Sequence, residues 1–441
     1  MKRALLTAVL GLALGLAACS SSSSQSWSDA PEAPSRGGEG DTVRSALTRN
    51  MSPAPSSAER ETFARDRADF AVRLYRAAAE GGGNVFLSPH SVSVALAMVY
   101  AGARGDTAAE MKDALHFGLP DDRLHEAFNA IDLALASRGK DAKGKDGKAF
   151  QLAIANSTWG QKGTTFFDPF LDTLAVSYGA GLELVDFEFD REAARMRING
   201  WVADRTAQRI PELLTSGVLR PDTRFVLVNA AYMSAAWETS FVQDATIPAT
   251  FTKQDGTAMQ VPMMRGSAVR RHRADAGYEA VEMPYDGEEL SMLAIVPSSG
   301  TFGAFESSLT GARVLDILAG LEHAEVDLSF PKLALDGSFD LVPPLKSLGM
   351  KQAFVDGGAD FRGIGPWRPW ITNVIHQTFL DVDESGTEAA AATAVVVSPA
   401  SGGAPPRIVR MVVDRPFILA IVDRETKTLL FLGRVLEPKA L

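Results

Sequence analysis

The chain of 441 residues is 46% hydrophobic and 22% charged, the balance of a soluble protein with a large core, not of a disordered or membrane-embedded one. Forty-four basic against fifty-four acidic residues give a formal net charge of -10, which repels a phosphate backbone and sets nucleic-acid binding aside. The single cysteine, Cys19, excludes an intrachain disulfide framework, a zinc ribbon and a CxxC redox pair.

Met1-Lys2-Arg3 is a short positive start, Ala4 to Leu16 is rich in Leu, Ala, Val and Gly, and Leu16-Ala17-Ala18-Cys19 closes the run with small residues. This is a secretory signal, too short for a spanning helix. The closing residues resemble the lipobox of bacterial lipoproteins, in which cleavage leaves the cysteine first in the mature chain with lipid on its sulfur. The resemblance implies a signal peptide at 1–18, lipidation of Cys19 and a place in the cell envelope. Ser20 rather than Asp follows, which by the same resemblance favours the outer membrane, facing periplasm or cell surface. An ordinary signal peptide with an incidental cysteine is the alternative. Residues 19–59 begin with five consecutive serines and continue in Pro, Gly, Glu and Ser without apolar periodicity, the composition of a flexible linker with no fold.

From Arg60 onward helical and strand patterns alternate without a repeat or second linker, so 60–441 reads as one domain. Helices are expected at Thr62 to Ala79, Ser91 to Tyr100, Thr107 to Leu115, Asp122 to Ala136, Asp168 to Tyr178 and Arg191 to Thr206. Strands are expected at Phe150 to Trp159, Phe225 to Met233, Leu290 to Val296, Glu325 to Pro331, Val374 to Val382, Phe417 to Asp423 and Leu429 to Val435. Helices come early and strands late, the order of an α+β fold with mainly antiparallel sheets.

Catalytic constellations are missing. There is no GxSxG elbow, and His125-Glu126 has Asn129 where an HExxH motif needs its second histidine. Gly139 to Asp146 nearly spells a P-loop, but Asp146 replaces the Mg²⁺-holding hydroxyl and no apolar strand precedes it. A solvated basic loop is the plainer reading, a docking patch the other. The chain is thus read as a non-enzyme without cofactor or metal; a lipid-anchored hydrolase is the reading this search argues against.

Val374 to Pro416 is unlike an ordinary core element. A strand runs into an acidic Gly turn, then Thr387, Glu388, Ala389, Ala390, Ala391, Ala392 and a β-branched run, then Ser, Pro and Gly of the kind found on protease-accessible loops. Taken at period two, one face carries Thr387, Ala389, Ala391, Thr393, Val395 and Val397, with no charge and only small or β-branched side chains. Such a face enters a sheet without burying an ion. An exposed loop that is also a buried strand has two stable places to be.

This segment closely resembles the hinge and reactive-centre loop of serpins, and the resemblance covers nearly all of Arg60 to Leu441. It also rests on Asn84-Val85-Phe86-Leu87-Ser88-Pro89-His90-Ser91, Gly102 to Thr107, Asn229-Ala230-Ala231-Tyr232 with Trp237-Glu238, Phe330-Pro331-Lys332, Leu348-Gly349-Met350, Asp414 to Phe417 and Phe431 to Val435. It implies an α+β serpin fold of three β-sheets with eight or nine helices and an exposed loop, in a monomer. It implies an inhibitor of serine proteases, or of a cysteine protease, that is cut, forms a covalent acyl-enzyme and inserts its loop as a strand. Glu384, Gly386, Thr387, Glu388 and Ala389 to Ala392 would be the hinge. Ser88, Ser91, Asn229 and His376 would form a shutter within the sheet, with Trp237 at the breach above. The family's spacing, counted from Gly386, puts the reactive bond at Ala400-Ser401, suited to an elastase-like pocket. Ser401 to Pro416 is longer than is common in the family, which leaves Ser398 and Gly402 as neighbouring candidates. A non-inhibitory serpin acting as a binding protein is the alternative; its usual mark is a hinge with charged, bulky or proline residues, and the face Thr387, Ala389, Ala391 and Thr393 has none.

Overall fold

In the computed structural model, residues 41–145, 147, 150–387 and 408–439 are described, and they contain nine α-helices and sixteen strands. The expected alternation holds closely where periodicity is strong. Helix Asp168–Tyr178 and strands Val374–Val382 and Phe417–Asp423 keep the expected bounds. Others shift by a few residues at their ends, such as helix Pro89–Tyr100 and strand Phe225–Ala236.

One correction concerns the linker. The expectation of no fold through Glu59 fails from Asp41 onward. Thr42 and Val43 pair antiparallel with Glu183 and Leu182 at the edge of a sheet. Arg49 donates to Asn129 at 2.8 Å and to Asp132 at 2.5 Å, which ties this segment to helix Asp121–Ala136. The first helix begins at Ser57 instead of Thr62, because Ser56 and Glu59 form a reciprocal capping box. Polar composition concealed side chains that bond the body.

Two hydrogen-bonded networks organise the strands. The first has seven strands, running from Thr42–Val43 through Leu182–Val185, Gln151–Gln161, Phe225–Ala236, Gly386–Thr387 and Val374–Val382 to Leu333–Asp340. The second has nine, and the 18-residue strand Ala258–Asp275 joins its two limbs. That strand's first half pairs with Ile247–Thr252, its middle with Glu322–Pro331, and its end with Tyr278–Pro284. The second and third sheets implied by the resemblance are therefore continuous here through one long strand.

Strand Phe225–Ala236 is buried at all twelve positions, the mark of a central strand covered on both faces. Val226, Val228 and Ala230 pack with Ile198 and Val202 of helix Arg191–Arg205. The alternate residues Phe225 and Leu227 belong to the main core with Val92 and Leu96 of helix Pro89–Tyr100. The site lies in this doubly covered layer.

Candidate functional site

The seam of interest runs between Phe225–Ala236 and Val374–Val382. They pair in parallel from Leu227 opposite Val374 to Tyr232 opposite Phe379. Above Tyr232 the two strands part, and Gly386–Thr387 occupies the gap. Gly386 pairs antiparallel with Ala236 and Thr387 with Ala235, while Thr387 also pairs with Val382. Two of the residues expected in the hinge are thus already seated as a strand. A Cβ on Gly386 would come within 2.2 Å of the Ala235 carbonyl oxygen, so glycine is required by close backbone approach.

Thr387 is fully buried, and its Oγ1 lies 2.7 Å from Tyr285 Oη. Tyr285 stacks on Trp237 with centroids 4.6 Å apart, and Trp237 Nε1 donates to the Asp383 carbonyl at 3.0 Å. The Trp237 and Phe241 amides donate to the carbonyls of Ser385 and Glu384. Glu384 accepts from Lys332 Nζ at 2.8 Å and Thr246 Oγ1 at 2.6 Å. Burial opposes its charge, but these donors hold its carboxyl below the usual range. The acidic Gly turn is therefore a bonded corner that leads Gly386–Thr387 into the seam.

Below, in the closed part of the seam, lies a fully connected polar row. Asn156, Asn229 and His376 are directly opposite one another on three adjacent strands. His376 Nδ1 donates to Asn229 Oδ1, and Nε2 accepts the Ser88 amide at 2.8 Å. Asn229 Nδ2 donates to Ser91 Oγ and Asn156 Oδ1, each at 2.7 Å. Ser88 Oγ caps its helix and donates to the Leu430 carbonyl at 2.6 Å. The four expected residues meet here, and parting the strands must break the His376 to Asn229 bond. Tyr285 and Asn156 were absent from the sequence-derived set. Asn156 offered one signal, an amide within an apolar strand.

This row requires a neutral imidazole, because Nε2 faces an N–H donor. Burial pushes His376 down to about 3 from an ordinary 6.5, despite its bond to Asn229. Between those values the unfolded chain binds a proton that the folded chain does not, so stability falls as pH falls. At pH 5 the loss from this one group is about 2 kcal/mol. Melting curves across pH 7.5 to 5 should show a falling Tm, with a shallower slope in His376→Gln. Equal slopes would contradict this role for the imidazole.

The basic loop stays on the surface as expected, with Lys140, Asp141 and Lys143 exposed, and it is also bonded beside Trp237. The Lys143 and Lys145 amides donate to Asp286 Oδ2, and Lys145 Nζ reaches Glu238 Oε1 at 2.5 Å. Asp146 lies outside the described residues, as do Cys19, Glu388, Ala389 to Ala392, Ala400 and Ser401. His125 is buried with Nδ1 2.7 Å from Tyr178 Oη, a packing role.

A family model described as "Serpin (serine protease inhibitor)" matches residues 65–438. An uncharacterized serpin-like protein of Thermococcus kodakarensis is 37% identical over 376 residues, covering 84% of each chain. The leukocyte elastase inhibitor of Sus scrofa is 36% identical over 395 residues, covering 84% of this chain and 97% of that one. The solved native state of the thermophilic serpin Tengpin matches with a TM-score of 0.78 at 28% identity, over 90% of this chain and all of the other. With the seated hinge and the sheet seam beneath it, these matches show that the chain belongs to the serpin family.

Proposed function

We propose that the protein inhibits serine proteases of elastase-like specificity as a suicide substrate. The protease serine Oγ attacks the Ala400 carbonyl carbon, the Ser401 amine leaves with a proton, and an ester joins the two proteins. The freed segment then zips into the seam before water reaches the ester. A cysteine protease would form the corresponding thioester.

The observation that carries this reading is the seated Gly386–Thr387 pair, antiparallel to both neighbours. Continued at the same register, residues 389, 391 and 393 follow Thr387 on the inward face. Thr393 would then arrive between Asn229 and His376, replacing the bond that opening breaks. No charge lies on that face through Val397. The name of the porcine elastase inhibitor and the small side chain of Ala400 support the choice of target.

Incubation with a protease panel tests the reading. Elastases should yield a detergent-stable covalent complex, and trypsin should not, since Arg407 and Arg410 lie beyond the trapping bond. Rapid trypsin trapping, or elastase digestion without complex, would reject it.

The same reading places a lipid on Cys19 and the body at a bacterial envelope, most simply the outer membrane. Cys19→Ala should move the protein from membrane to soluble fractions with inhibition intact. Equal solubility of both forms would refute the anchor.

A further inference from the structure

Strand register places the seated hinge and the N-terminal segment at opposite ends of the seven-stranded sheet. Thr42 lies opposite Glu183, Glu183 opposite Trp159 and Trp159 opposite Val226, so these residues form one row across adjacent strands. Thr387 belongs to another row, opposite Ala235. From Ala235 back to Val226 is about 30 Å of strand.

Asp41, the first described residue, is fastened at the Val226 end. Its carbonyl accepts the Leu184 amide at 2.8 Å, and its carboxylate meets Lys162 at 2.7 Å and Arg197 at 3.0 Å. The chain that joins Cys19 to the body therefore enters at the end of the sheet remote from the hinge.

The antiparallel pairing of Thr387 with Ala235 also sets the direction of insertion. Each residue added beyond Thr387 steps one position back along the neighbouring strand, so Val396 reaches the Val226 row and Ala400 passes it by about 13 Å. Sideways, a strand inserted beside Phe225–Ala236 lies four spacings from Thr42–Val43, about 19 Å. The acyl carbon of Ala400 thus ends about 20–25 Å from Asp41. A globular domain of about 240 residues has a radius of gyration of about 18 Å and a width of about 45 Å, so a protease held there fills the space beside Asp41.

Resting on the inhibitory and lipid-anchor readings, we propose that insertion is directed at the membrane: the trapped protease is carried to the end of the body that the lipid on Cys19 holds. The resting molecule offers its reactive segment at the end facing away from the bilayer, where a free enzyme approaches unhindered. The trapped enzyme finishes between body and bilayer. The chain between Cys19 and Asp41 is then a spacer that must admit the enzyme, and its length governs trapping.

Cys19 is the only cysteine, so the full chain can be coupled through that thiol to phosphatidylcholine vesicles bearing a maleimide lipid and an acceptor dye. Coupling makes the outcome independent of whether the cell lipidates Cys19, which fractionation of Cys19→Ala decides. Energy transfer from a donor-labelled elastase is read in two states: the reversible encounter, formed by elastase whose catalytic serine is replaced by alanine, and the covalent complex formed by the active enzyme. Transfer should rise at least twofold from the first state to the second. In the variant Cys19→Ser with Lys143→Cys, coupled at its new thiol, transfer should fall instead, because Lys143 is exposed on the loop bonded beside Trp237 at the hinge end. Deleting residues 26–37 leaves about ten residues of spacer, at most about 34 Å and less than the enzyme's width. That variant should consume at least three times as many inhibitors per protease on vesicles and the same number as wild type in solution. Equal transfer in both states, a rise for both attachment points, or undiminished trapping by the shortened chain on vesicles would overturn the membrane-directed insertion while inhibition stands. Absence of any covalent complex in solution would instead reject the inhibitory reading, and the inference with it.

Discussion

Thr387→Arg should convert the protein from inhibitor to substrate, raising the number of inhibitor molecules consumed per protease from near one to more than ten. Thr387 is fully buried between Ala235 and Val382, with its hydroxyl on Tyr285. A guanidinium there replaces a hydroxyl that meets Tyr285, and Glu384 is already held by Lys332 and Thr246. Leaving a charge unpaired in such a site costs several kcal/mol, so the seated hinge is expelled and insertion must begin with the least insertable residue. The reactive bond is untouched, and cleavage at Ala400 continues at its former rate. Thr387→Ser keeps the hydroxyl opposite Tyr285 and should remain inhibitory, which separates the effect of charge from mere substitution. Gel partition of complex against cleaved product measures the ratio; trapping by Thr387→Arg equal to wild type would rule out insertion through this gap.

Much of this site was legible because its logic is local. An alternating strand, an acidic Gly turn and an uncharged period-two face are all written in Val374 to Val397, and they pointed to a chain segment with two positions. The seated state of the hinge was not legible. A two-residue strand such as Gly386–Thr387 has no period, and its burial depends on Tyr285, about a hundred residues away in sequence. Thr42–Val43 escaped for the same reason, its partner lying in Leu182–Val185. The 18-residue strand Ala258–Asp275 was also missed, since its second half buries Arg270 and His272 and exposes Val269, the reverse of an apolar alternation. The shutter residues were named through family resemblance, whereas the row joining them to Asn156 appears only when three strands are in register.

The central claim is that the cut loop becomes a strand of the seven-stranded sheet, and its thermodynamic sign is unusual. Nicking an ordinary exposed loop lowers stability or leaves it unchanged. Here each inserted residue replaces one strand seam with two. Backbone hydrogen bonds gained are worth about 1 kcal/mol apiece, and burial of the inward face from Ala389 to Val397 adds to them. About ten residues supply on the order of 10 kcal/mol before the cost of ordering the loop, comparable to the whole stability of a typical domain. At roughly 2 °C per kcal/mol, the part of this gain that exceeds the ordering cost raises the melting temperature. The decisive measurement is calorimetry of the protein before and after a single cut confirmed by mass spectrometry near Ala400. A rise in melting temperature is the result predicted, and a melting temperature unchanged or lowered by that cut would contradict insertion.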